Sequence, residues 1–183
     1  MSTKKRTVLR TVRLSQDLDD LLRNDAEESG TTVNGLINRI MTKYLEWDRH
    51  IEKFKFVSIA RETFRSFLDK IDDADVEKIA TDMGSKMPVA ITFFWFKKLN
   101  LETVLKTISN YGKYSGLQTN EITANDGNCI ITFYHELGAK WSIFLKYFIC
   151  QFVKTALGIT PKTEITDDLV LVSFNTTNRK ART

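Results

Sequence analysis

His135-Glu136-Leu137-Gly138 opens like the helix in which two histidines hold zinc and a glutamate serves as base. Ala139 stands where the second histidine of HExxH is required, so the ligands cannot assemble. His135 reads instead as a capping or hydrogen-bonded residue at a strand-to-helix corner, or as a buried pH or ligand contact. Cys129 and Cys150 read as packed thiols, since a redox pair would need them to meet in space. No GxxxxGK[ST] or GxGxxG run offers a phosphate cradle. Two His and two Cys in all leave little for a metal centre. The expectation is therefore no metal, no cofactor and no enzyme. Asn175-Thr176-Thr177 matches a glycosylation sequon by chance. Phe93-Phe94-Trp95-Phe96 reads as core, with an oligomer interface or an apolar pocket as the other readings.

What remains is charge, and its placement matters more than its total. The 183 residues carry a net charge of +4. Lys4, Lys5, Arg6, Arg10 and Arg13 lie in the first 14 residues with no acid among them. Arg179, Lys180 and Arg182 close the chain in the same way. Residues 1–6 thus read as a basic arm and 176–183 as a basic tail. With 42% hydrophobic and 27% charged residues the rest has the composition of a folded protein. Two cysteines make no disulfide framework, which points to a reducing compartment and a cytoplasmic protein. The longest apolar run, residues 89–96, is far short of the ~20 residues of a membrane span. No apolar segment follows the basic start as a signal peptide would require.

The basic arm leads into pattern. Val8, Val12 and Leu14 share one phase at period two, with Thr11 and Arg13 on the other, so residues 7–14 read as a half-buried strand. Ser15 caps a helix with Leu18, Leu21, Leu22 and Ala26 at helical spacing, ended by Gly30. Thr31 or Thr32 caps a second helix bearing Val33, Leu36, Ile37, Ile40, Met41, Tyr44 and Leu45. One strand and two short helices cannot bury these stripes alone, and a lone strand leaves its edges unpaired. A dimer solves both problems: two strands pair antiparallel and four helices pack beneath them.

This order of residues, Thr11-Val12-Arg13-Leu14-Ser15, then a helix, then Gly30-Thr31-Thr32-Val33-Asn34 and a second helix, resembles the ribbon-helix-helix DNA-binding family of the Arc/MetJ/CopG type. The resemblance covers residues 7–48. It implies an intertwined dimer whose two-stranded ribbon enters the major groove and reads base edges with its outward side chains. Those are Thr11 and Arg13 here, with Arg13 suited to a bidentate pair on guanine. Leu9 falls where the family has a polar reader, and Arg10 falls on the inward phase. Either Leu9 meets a thymine methyl, or a frayed strand end lets Arg10 reach the bases. The resemblance further implies a phosphate anchor at the second helix, made by the Val33 and Asn34 N–H groups and the Thr32 hydroxyl. Lys4, Lys5 and Arg6 would track phosphates and add salt-dependent affinity.

No Gly- or Pro-rich linker follows residue 50; the second helix is expected to run on through Trp47 to Ile51. Residues 54–59 then alternate like a strand. Helices are expected over 61–71, over 75–83 with a stop at Gly84, from Pro88 to Lys98, and from Asn100 to Tyr111. A hairpin turning at Asn125-Asp126-Gly127-Asn128 follows. Next come a helix between Gly138 and Gly158, and a strand over 169–174 paired with 163–166. The fold class is α+β: a ribbon-helix-helix domain at 7–50 and a regulatory or oligomerisation domain at 51–175. The order βαββαβ, with extra helices in the first crossover, suits a ferredoxin-like or ACT-like sandwich. Ribbon-helix-helix modules joined to such domains include ligand-responsive repressors, but the histidine-rich cluster of the nickel regulator is missing.

The expected function is a prokaryotic, sequence-specific transcriptional regulator. Its partners are double-stranded DNA, a second copy or a higher homo-oligomer, and a small-molecule effector, with no membrane. An antitoxin or other protein-interaction module using the same DNA-binding end is the alternative.

Overall fold

Ser15 and Thr32 start the first two helices, each from an extended backbone. Ser15 Oγ accepts from Leu18 N at 3.4 Å and opens α1 (Gln16–Glu28), with Asp17 and Asp19 in the first turn favouring the positive end of the helix dipole. Thr32 Oγ1 accepts from Gly35 N at 3.1 Å and opens α2 (Val33–Lys43). The computed structural model describes residues 7–177. These fall into two compact units, one ending at Phe54 and the other beginning at Lys55.

In the first unit α2 passes without a break into a π-helical stretch (Tyr44–Asp48) and a last turn, α3 (Arg49–Ile51). The strand expected over 7–14 does not form: residues 7–15 carry no regular structure. A strand needs a neighbour to complete its hydrogen bonds, and one chain supplies none there. Among the unit's described residues, only Ala26, Leu36 and Trp47 of the apolar side chains are buried.

The second unit opens with residues 56–60, which are irregular where a strand was expected. Lys55, with φ at 53°, breaks the extended run at its start. Next come α4 (Arg61–Leu68), α5 (Asp73–Phe96) and α6 (Leu101–Tyr114), the last opened by a capping box between Asn100 and Thr103. The two helices expected over 75–83 and from Pro88 are one. Gly84 is no stop, because a β-carbon there would come within 2.4 Å of Phe148 O, and the glycine lets two backbones touch. Pro88 removes one helical hydrogen bond, to the Gly84 carbonyl, but lies buried in the helix.

Strands β1 (Thr119–Asn125) and β2 (Asn128–Tyr134) form the expected hairpin. Asp126 and Gly127 turn it at φ of 49° and 78°, the left-handed pair that suits the strand twist. Then follow α7 (Ala139–Leu157), β3 (Lys162–Ile165) and β4 (Leu169–Asn175). The sheet order is β1-β2-β4-β3, with every pair antiparallel. The unit is mixed α and β, with two hairpins joined by a helix; the first strand of the expected βαββαβ order is missing. Cys129, Ile131 and Phe133 face Phe174, Val172 and Val170 across the ladder, and all six are buried with Leu145, Phe152 and Val153 of α7. No helix among the described residues is long and apolar enough to cross a membrane.

Candidate nucleic-acid interface

The N-terminal unit carries the charged and hydrogen-bonding groups expected to read DNA. Arg10, Thr11 and Arg13 are all exposed, in the irregular segment that runs into α1. A single chain does not gather them into a ribbon. Leu9, flagged in the sequence as out of character, is 91% exposed. Lys4, Lys5 and Arg6 lie outside the described residues, as do Arg179, Lys180 and Arg182.

The turn at Thr32, where a phosphate anchor was expected, is more fully formed. Gly30, at φ of 59°, ends the first helix, and Thr31 N bonds back to Ala26 O at 2.9 Å. The chain then turns at once into α2, so the Val33 and Asn34 N–H groups occupy its first turn, where a helix has no internal acceptors. Thr32 and Asn34 are exposed and Val33 half-buried. Because Thr32 Oγ1 accepts from Gly35 N, its own proton stays free to donate to an anion. Sequence reasoning missed Gly35. A β-carbon there would meet Thr31 Oγ1 at 2.8 Å and Thr32 Oγ1 at 3.2 Å, so the glycine makes room for both hydroxyls.

Much of the unit's apolar surface is uncovered. Val12 is 70% exposed and Leu21 62%, while Ile40, Met41, Tyr44 and Leu45 stand between 49% and 56%. This is the stripe that the sequence assigned to an interior.

The second unit brings His135, Ser142 and Asp168 together. Ser142 Oγ lies 2.9 Å from His135 Nε2 and 2.5 Å from Thr166 O. The serine proton goes to that carbonyl, so Nε2 carries the imidazole proton and Nδ1 accepts from Leu137 N at 3.4 Å. Ser142 is fully buried and the Asp168 carboxylate is 4.0 Å from Nδ1. This is a structural clasp between α7 and the β3–β4 turn, without an exposed nucleophile. Burial pushes the imidazole below its ordinary value; Asp168 opposes this and Arg61 adds to it.

Cys129 and Cys150 are both free thiols. Burial raises Cys129 to about 11, well away from thiolate chemistry at neutral pH. Among the described residues no cluster of three or more His, Cys, Asp or Glu could hold a metal. Phe93, expected in the core, is 58% exposed at the end of α5. Neither a protein-family model nor a curated protein matches this chain.

Proposed function

We propose that the protein is a dimeric, sequence-specific DNA-binding transcriptional regulator, a ribbon-helix-helix protein whose C-terminal unit senses a small effector or oligomerises. The observation that carries this reading is the uncovered apolar stripe of the first unit. Among its described residues the unit buries only Ala26, Leu36 and Trp47 of its apolar side chains. Fully burying a side chain such as Leu or Ile contributes ~1.5–3 kcal/mol, so covering the stripe with a second copy would supply most of the unit's stability. Pairing of residues 7–14 from two chains would also fill the strand edges and align Thr11 and Arg13 on one outer face. Arg10 would serve the frayed end. Thr32, Val33 and Asn34 would hold a phosphate on either side, with Lys4, Lys5 and Arg6 along the backbone.

Met41 supplies the test, because it is 55% exposed in the single chain. Met41→Glu should be harmless to a monomer and disruptive to a dimer that covers it. Sedimentation equilibrium of the full chain should show a dimer. The variant should fall to monomers and lose DNA binding. A wild-type monomer, or a variant that dimerises as well as the wild type, overturns the reading.

A further inference from the structure

Successive residues of a strand point to opposite faces of its sheet. On one face Cys129, Ile131 and Phe133 of β2 and their partners on β4 are buried with α7. The other face of an antiparallel sheet is ordinarily polar when water covers it. Here its two central strands carry Ile130, 42% exposed, and Leu171, half-buried. Lys162 and Glu164 stand exposed on the edge strand β3.

The register sets these residues in two neighbouring rows. Ile130, Ser173 and Lys162 lie side by side in one, and Thr132, Leu171 and Glu164 in the next. On β2 and β4 a large side chain in one row neighbours a small one in the other, and on β3 a cation neighbours an anion. A two-fold contact needs a patch that complements itself. An axis running across the strands between the rows lays each row on the other row of a second copy. Ile130 then faces the partner's Thr132, Leu171 faces the partner's Ser173, and Lys162 faces the partner's Glu164, each pair occurring twice. Sheet twist offsets the outermost pair, and the flexible four-carbon stem of lysine spans that offset.

Four strands ~4.8 Å apart, with a rise of ~3.4 Å per residue, cover roughly 450 Å² per copy. The two faces together stay below the ~1,200 Å² at which stable interfaces begin. Such a contact closes only between copies already held together, as paired first units would hold them, at an effective concentration of ~1 mM. We infer that this face of the sheet is a contact between the second units of the two copies in one dimer, centred on Ile130 and Leu171 and held at β3 by Lys162 and Glu164. The contact deepens the oligomerisation role proposed above and rests on the dimer proposed there.

Ile79 on α5 and Ile130 are both 42% exposed in the single chain. A soluble, neutral gadolinium chelate should therefore relax their methyl NMR signals alike unless something covers one of them. In the full-length dimer the enhancement at Ile130 should be several-fold smaller than at Ile79, and in Met41→Glu the two should be equal. Lys162→Glu, which sets like charges against each other, should bring Ile130 most of the way to Ile79. Adding Glu164→Lys should restore the difference. Equal enhancement at the two isoleucines in a dimeric wild type overturns the contact, as does a Lys162→Glu effect that is absent or is not restored. Those results leave the first-unit dimer standing, because sedimentation reads it separately; a wild-type monomer overturns both.

Discussion

Gly35 lies directly beneath Thr31: a β-carbon at position 35 would stand 2.8 Å from the Thr31 hydroxyl. The first turn of α2 is therefore built with space for hydroxyls at its mouth, where a helix also presents free N–H groups. Gly35→Ala should turn the Thr31 and Thr32 hydroxyls aside. Losing the cap costs ~1 kcal/mol, while replacing a helical glycine by alanine returns about as much. Thermal stability should thus change little, and DNA affinity measured by fluorescence anisotropy should fall. Unchanged affinity would separate this turn from phosphate binding.

Arg13→Ala and removal of residues 1–6 should fail in different ways. The first should cost about 1–3 kcal/mol on the cognate sequence and relax preference at one base pair. The second should weaken all sequences alike and flatten the dependence of affinity on salt. Titrations of cognate and scrambled duplexes across a salt series distinguish the two effects.

His135 makes the second unit sensitive to acid. Its imidazole is held below the ordinary value of 6.5, by burial first, and its neutral form is the one the Ser142–Leu137 clasp accepts. The unfolded chain takes up a proton near 6.5, while the folded chain resists until a lower pH. The stability this clasp contributes is therefore complete above about pH 6.5 and drains away as pH falls toward the folded value. His135→Gln, which cannot titrate, should show a shallower fall in melting temperature over that interval. An identical slope in the two proteins counts against the clasp.

The contact of Gly84 with Phe148 should tolerate no side chain. Gly84→Ala would place a β-carbon 2.4 Å from a backbone oxygen that cannot rotate away. Separating α5 from α7 to relieve this should cost ~1–3 kcal/mol, read as a lower urea midpoint. A midpoint equal to that of the wild type would contradict the close approach.

Where local chemistry decides, the sequence was legible. Ser15 and Asn100 cap the helices they were expected to cap, Thr32 is the one of the Thr31-Thr32 pair that caps α2, and Asp126-Gly127 turns the hairpin. Where distant parts of the chain decide, it was not. Gly84 and Pro88 are local signals for stopping and starting a helix, yet close packing against α7 keeps α5 continuous through both. The helix cap near Thr32 followed from local spacing, whereas the crowding at Gly35 is a matter of a fraction of an ångström. Ser142 meets the carbonyl of Thr166 across 24 residues. The strand expected over 7–14, which does not form in the single chain, is a different case: the partner expected for it is another molecule.

Selection of bound fragments from random double-stranded DNA by the full-length protein, at a low and a high salt concentration, tests the central claim most directly. A ribbon-helix-helix dimer should enrich paired half-sites, palindromic or in tandem, and the same motif should survive at high salt with reduced yield. Recovery of DNA without any shared motif, vanishing as salt rises, would mean that the basic residues bind only the phosphate backbone and would contradict a base-reading ribbon.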